Sequence, residues 1–147
     1  MWNRWPTKIE FIKAHRFMHQ FPGKKKKQWA LRCAICNIIH KQANISIDHV
    51  EPAGSLLTEK DITPFILRLL FVADEGLQPL CKVCHDRKTY CEKMGCTWEE
   101  EPLYREVARV TKLNKAPLVK WMKTQKLDVT GTLPTLRERA RQHLLGI

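Results

Sequence analysis

Nucleotide-binding signatures are missing from this chain of 147 residues. It contains neither a GxxxxGK[ST] loop nor a GxGxxG turn, so nothing points to a nucleotide cofactor. No long hydrophobic run is present. The most apolar stretch, residues 65–73, is nine residues long and contains Arg68, too short and too polar to span a bilayer. The first residues, Met1-Trp2-Asn3-Arg4-Trp5-Pro6, lack the apolar segment of a secretory signal. No internal repeat is found. Negative charge is scarce at the start: residues 1–47 hold ten Lys or Arg and a single acid, Glu10. These absences lead us to expect a cytoplasmic protein with no membrane partner, carrying reduced cysteines rather than disulfides.

The positive charge is abundant and unevenly placed. The formal net charge is +11, from 26 Lys and Arg against 15 Asp and Glu. Residues 48–100 are net acidic, with six basic and ten acidic residues, and residues 101–147 are again basic, with ten against four. Two basic flanks around an acidic centre suit a polyanion partner, its phosphates gripped on either side of a cation site. A hydrophobic fraction of 44% is enough for one compact domain, or one domain with an appendage.

The periodicity predicts a helix over residues 7–20, stopped by Pro22-Gly23. Two short β-like stretches follow, at residues 38–40 and 45–50. Residues 61–73 read as a short buried helix, 82–94 as a helix closed by Gly95, and 100–112 as another. From Lys115 the pattern is helix, turn at Thr130-Gly131, then helix over 134–145, with a soft boundary near 111–116. The expected organisation is a basic helical extension (1–29), a core (30–112) and a C-terminal helical segment (113–147).

Six cysteines are present, four of them in two CxxC pairs: Cys33/Cys36 and Cys81/Cys84. Each pair aims two thiolates at one point, and two pairs complete a tetrahedral Zn²⁺ site. Four thiolates leave no open coordination position, so such a zinc is structural. A redox CxxC and four unrelated buried cysteines are the competing readings. Cys91 and Cys96 fall outside the pattern.

The 44 residues between the pairs include Asp48-His49, at the end of a β-like stretch, and His85 follows Cys84 directly. Joining the knuckles at one zinc brings the helix that opens at His85 beside Asp48. A carboxylate and an imidazole can hold one divalent cation, and a second imidazole can serve as general base near neutral pH. Neighbouring strand residues point to opposite faces, so Asp48 and His49 are expected to have different tasks.

These residues resemble the HNH endonucleases, the ββα-metal nucleases. The match is Cys33-x2-Cys36, then residues 47–52 (IDHVEP), then residues 77–81 (LQPLC) with Cys84-His85-x2-Lys88-Thr89. It covers roughly residues 30–95. The resemblance implies an α+β fold: a small zinc-stapled ββα-metal core with helical N- and C-terminal extensions. It implies metal-dependent hydrolysis or nicking of DNA that leaves 5′-phosphate and 3′-hydroxyl ends. His49 would be the base, and Asp48 and His85 would hold the catalytic divalent metal, Mg²⁺, Mn²⁺ or another transition metal. Cys33, Cys36, Cys81 and Cys84 would hold structural zinc. One position departs from the family: the Asn that usually precedes the Leu-Gln step, and braces the loop carrying the base, is Gly76. The chain is also similar to compact nucleases of bacteriophages, which implies a phage origin, a host-cell cytoplasmic setting and a phage or host protein as partner. One alternative is a nuclease active only within a partner complex, such as a terminase. The rival reading is a non-catalytic zinc-dependent module that binds DNA or protein.

Candidate phosphate contacts are Lys24, Lys25, Lys26 and Lys27, with Arg32 after them and Arg87 and Lys88 one turn into the helix after His85. A solvated loop is the alternative use of the lysine run. Residues 118–141 resemble a SAP-type helix-turn-helix, with Leu118, Trp121, Leu127, Gly131-Thr132 and Leu136 in its frame. Lys120, Lys123, Lys126, Arg137 and Arg141 would supply its charge. The alternative is a helical pair that serves only for packing.

Overall fold

A computed structural model describes residues 5–147. Among the described residues the fold is α+β, with six α-helices and two small antiparallel sheets. The chain groups into two compact units, one running to Thr89 and the other from Tyr90 to Ile147, so the division falls inside a helix.

In the first unit, helix α1 (Pro6–His15) opens with Pro6 in its first turn and carries Lys13 and His15 in its last, both favourable for a helix end. It stops at Arg16, whose backbone is extended. The helix expected over 7–20 is therefore shorter, because Phe17–His19 forms strand β1 instead. Strand β1 pairs with β2 (Gln28–Arg32), setting Phe17 against Ala30 and Met18 against Trp29. Strand β3 (Ile39–Lys41) completes this three-stranded sheet on the other edge of β2. Lys24–Lys27 lie in the exposed β1–β2 connection.

The second sheet is a two-stranded ribbon of β4 (Ile45–His49) and β5 (Leu77–Cys81). Its register sets Ile45 opposite Cys81, Asp48 opposite Gln78 and His49 opposite Leu77. Helix α3 (Lys82–Met94) follows β5 without a loop, so β4, β5 and α3 make a ββα-like arrangement. The two β-like stretches seen in the sequence do not pair with each other; each belongs to a different sheet.

The β4–β5 connection holds helix α2 (Ile62–Leu70). A helix expected to be buried is instead amphipathic and half-covered. None of its residues is fully buried, and Ile62, Ile66 and Leu67 are exposed. Two side-chain hydrogen bonds tie this connection to the N-terminal segment. Trp5 Nε1 donates to the Leu70 carbonyl at 2.9 Å, and His15 Nε2 meets Asp74 Oδ2 at 2.7 Å. The core of the unit is Phe11, Leu31, Ile47 and Leu77, with Ile12, Ile45 and Val72 against it.

The second unit contains α4 (Glu101–Thr111), α5 (Lys115–Thr124) and α6 (Leu133–Leu145). Thr97 and Glu100 exchange hydrogen bonds ahead of α4, from Thr97 N–H to Glu100 Oε2 and from Glu100 N–H to Thr97 Oγ1, a reciprocal cap. Helix α6 ends at Gly146 in the left-handed conformation, φ +69°, which glycine adopts without steric cost. Val110 of α4, Leu118 and Met122 of α5, and Leu136 and Ala140 of α6 form one fully buried cluster. Helix α4 thus packs with the C-terminal pair. No helix of the described residues is long and apolar enough to cross a membrane.

Candidate functional site

The four CxxC sulfurs converge. Cys33 follows β2, and its N–H donates to the Ile38 carbonyl while the Asn37 N–H returns to the Cys33 carbonyl, both at 3.0 Å. Asn37 closes this knuckle with φ +59°, a left-handed conformation asparagine tolerates. The Ala34 N–H donates to the Pro79 carbonyl at 2.8 Å, which docks the knuckle on β5. Cys81 ends β5 and Cys84 lies in the first turn of α3. All four sulfurs lie within 4.8 Å of one another, with Cys36 and Cys81 4.0 Å apart. Sulfurs at about 2.3 Å from a tetrahedral Zn²⁺ lie roughly 3.8 Å apart, so the set can hold a structural metal such as zinc.

The thiols differ in acidity. Burial works against ionisation of Cys33, but the N–H groups of Cys36, Cys81 and Ile35 and the Cys36 thiol outweigh it, and its pKa falls to about 6. Burial, reinforced by the neighbouring thiols, pushes Cys84 far up. At Cys36 the Ile38 N–H draws the pKa down, yet burial and the Cys33 and Cys81 sulfurs leave it raised. A thiolate at Cys33 close to two reluctant thiols, Cys36 and Cys84, is the electrostatic situation that a bound cation relieves. No disulfide forms among the described residues; Cys96 is buried, and the Cys91 thiol donates to the Thr97 carbonyl.

Asp48 and His49 diverge, as alternation along β4 requires. His49 lies on the buried face with Ile47 and is only 8% exposed. Its Nε2 is 3.1 Å from the Leu69 carbonyl. A carbonyl only accepts, so Nε2 carries the hydrogen and the lone pair of the neutral ring sits on Nδ1. The backbone around His49 is pinned twice. Gln78 Nε2 donates to the His49 carbonyl at 3.1 Å, and the Val50 N–H donates to the Gly76 carbonyl at 2.8 Å. Gly76 therefore braces the loop through its backbone. A Cβ at this position would lie 2.3 Å from Val72 Cγ2, so the loop has no room there for a side chain such as Asn.

On the other face of β4, the Asp48 carboxylate meets two side chains of α3. Oδ1 is 3.9 Å from His85 Nε2, and Oδ2 is 2.9 Å from Lys88 Nζ. His85 and Lys88 are three residues apart and share a helix face. Two N or O ligands bound at about 2.1 Å to one ion lie roughly 3–4 Å apart, so the Asp48–His85 spacing fits a shared divalent cation. His49 lines a cavity of about 470 Å³ with Phe71 and Val72, whereas His85 lines a different one, of about 630 Å³, with Ser46 and Asp86.

The basic residues are placed as follows. Lys24–Lys27, Lys120, Lys123 and Lys126 are exposed. Arg32 is exposed but spends Nη1 on the Asn37 carbonyl, buttressing the knuckle. Arg87 is half-buried. Lys88 turns inward to Asp48. Arg137 donates Nη2 to the Leu113 carbonyl at 3.0 Å, and Arg141 lies 3.8 Å from Glu138. Trp121 packs against the core of the second unit. Sequence reasoning missed the Leu69 carbonyl and the inward turn of Lys88. The first carries no side-chain signal; the second was available in the three-residue spacing from His85.

No protein-family description, curated protein or solved structure matches the chain.

Proposed function

We propose that the chain is a metal-dependent DNA endonuclease of the HNH type, with structural zinc on the four cysteines. The observation that carries this reading is the convergence of Asp48 and His85 to 3.9 Å on a ββα-like frame, with His49 next in sequence and its ring oriented by the Leu69 carbonyl. A divalent cation on Asp48 and His85 would polarise the scissile phosphate and stabilise the departing 3′-oxygen. His49 would take a proton from water at Nδ1, the nitrogen that keeps its lone pair while Nε2–H is held. The lysines of the β1–β2 connection and of α5 would neutralise flanking phosphates, so binding should weaken steeply with salt.

Supercoiled plasmid, incubated with Mg²⁺ or Mn²⁺, tests the reading. Wild-type protein should nick or linearise it, and His49→Ala should lose about 10²–10⁴-fold in rate with its metal content unchanged. Absence of metal-dependent cleavage by clean wild-type protein would overturn it.

A second reading, a zinc-dependent module that binds DNA or protein without cutting, is favoured by one observation. His49 is almost fully buried and lines a different cavity from His85. Salt-sensitive DNA binding with no cleavage under any metal, including in the presence of partner proteins, would select it.

A further inference from the structure

The partner of Asp48 in this structure is an ammonium. Lys88 Nζ lies 2.9 Å from Oδ2, at direct ion-pair distance, while His85 Nε2 stands 3.9 Å from Oδ1. The pair is well shielded from solvent: the Lys88 side chain is 15% exposed and that of Asp48 22%. Shielded charges are screened little by salt and interact more strongly than surface ions. A divalent cation on Asp48 and His85 would therefore share a carboxylate with a lysine only a few ångströms away, and the two positive charges would repel.

We propose that Lys88 is a built-in competitor for the divalent cation, holding Asp48 neutralised until phosphate draws the ammonium off. This rests on the reading of Asp48 and His85 as a cation site. Lys88 lies one helical turn beyond His85 and carries three donors on a flexible stem, so its alternative partner is a phosphate oxygen of the nucleic acid bound at that ion. Moving the ammonium from carboxylate to phosphate frees Asp48 for the metal. Metal and nucleic acid then raise each other's affinity, as linkage requires. The residue holds substrate phosphate through hydrogen bonds and regulates the cation site; it takes no proton and forms no covalent bond in the reaction.

Mn²⁺ binding to the zinc-saturated full-length chain without DNA tests this, read by titration calorimetry and by loss of the free-Mn²⁺ electron paramagnetic resonance signal. Lys88→Met removes the charge and keeps the apolar stem, and should tighten Mn²⁺ binding by about 10-fold or more. Lys88→Gln should do the same should the methionine variant lose its zinc, and Lys88→Arg, which keeps the charge, should stay near wild type. A short non-cleavable duplex should tighten Mn²⁺ binding to wild type by a larger factor than to Lys88→Met. Unchanged or weaker Mn²⁺ binding in both neutral variants overturns the proposal, because Lys88 would then merely orient the carboxylate, a role whose loss weakens binding about 10- to 100-fold. Asp48→Asn separates this failure from failure of the cation site. If wild type binds Mn²⁺ and Asp48→Asn does not, the site stands without the competitor. If neither wild type nor Lys88→Met binds Mn²⁺, both ideas fall.

Discussion

The two units bury their interiors in different ways. In the second, three helices enclose Val110, Leu118, Met122, Leu136 and Ala140, all fully buried and mutually packed. The first spreads its residues over two small sheets, helices α1 and α2 and the first part of α3. Its apolar cluster is Phe11, Leu31, Ile47 and Leu77, and three of its other buried side chains are the sulfurs of Cys33, Cys81 and Cys84. Several of its large apolar side chains stay in solvent, including Leu57, Ile66, Leu67 and Phe71. A short chain that wraps loops around a thin core gains too little from burial alone, and a metal on the four cysteines would make up the difference. The second unit closes by ordinary helix packing. Stability in the first should thus depend on a cation and in the second on side-chain volume.

Removing the metal is the strongest way to sharpen that contrast. Structural zinc contributes about 10–16 kcal/mol in comparable small sites, more than a thin core can replace. Cys81→Ser, or treatment of the wild type with a strong chelator, should remove about one zinc per chain and unfold residues up to Thr89. Amides around Val110 and Leu118 should keep their protection from hydrogen exchange. Equal loss of protection in both units would break the comparison. The same site has a pH signature. Cys33 ionises near pH 6, whereas Cys84 and Cys36 are held protonated above their ordinary value. Binding must strip those protons, so zinc affinity should rise with pH above 6 and fall as Cys33 itself protonates below it. Calorimetry in buffers of different ionisation enthalpy would show the protons released.

A smaller perturbation addresses the other unit. Leu118 is wholly buried among Val110, Met122, Leu136 and Ala140. Leu118→Ala leaves a cavity there and should cost about 2–5 kcal/mol. Chemical denaturation should then show an earlier transition in helical signal, with zinc content unchanged. A simultaneous loss of zinc would mean that the units do not fall apart separately.

The parts of the first unit that were legible in the sequence are those fixed by a chemical requirement. The CxxC spacing declares both knuckles, and the residue after Cys84 lands on α3 because that helix begins immediately beyond Cys81. Gly95, at φ +64°, ends α3 where expected. Strands β1 and β2 were invisible, because three residues such as Phe17–His19 carry too little alternation to outvote the helical pattern before them. Strand β5 was masked by Pro79, which cannot donate to a ladder but accepts from Ala34 through its carbonyl. Of the site, the convergence of Asp48 with His85 followed from the motif order. The hold on His49 did not, because it comes from a backbone carbonyl 20 residues away, delivered by an inserted helix. In the second unit the helices were plain from periodicity, while Arg137 and its neighbour Arg139 proved to serve backbone carbonyls at Leu113, Asp128 and Thr130.

The finest test falls on Gly76, where stability and activity should separate. A Cβ there meets Val72 Cγ2 at 2.3 Å, and Val72 itself leans on the Phe11–Leu31–Ile47–Leu77 cluster. Valine is stiff at χ1, so the clash is relieved by moving backbone. Gly76→Ala should cost about 1–3 kcal/mol, at or below the Leu118→Ala effect and far below loss of zinc, with the metal retained. The displaced segment carries the Gly76 carbonyl that accepts from Val50, next to His49. Cleavage should therefore fall by more than the stability change explains, as misplacing a base by about 1 Å costs roughly 10²-fold. Gly76→Asn should be worse than Gly76→Ala on both counts, because its larger side chain enters the same space. Recovery of activity by Gly76→Asn would show that the loop can accept the usual bracing residue, and that the backbone pinning of His49 is replaceable.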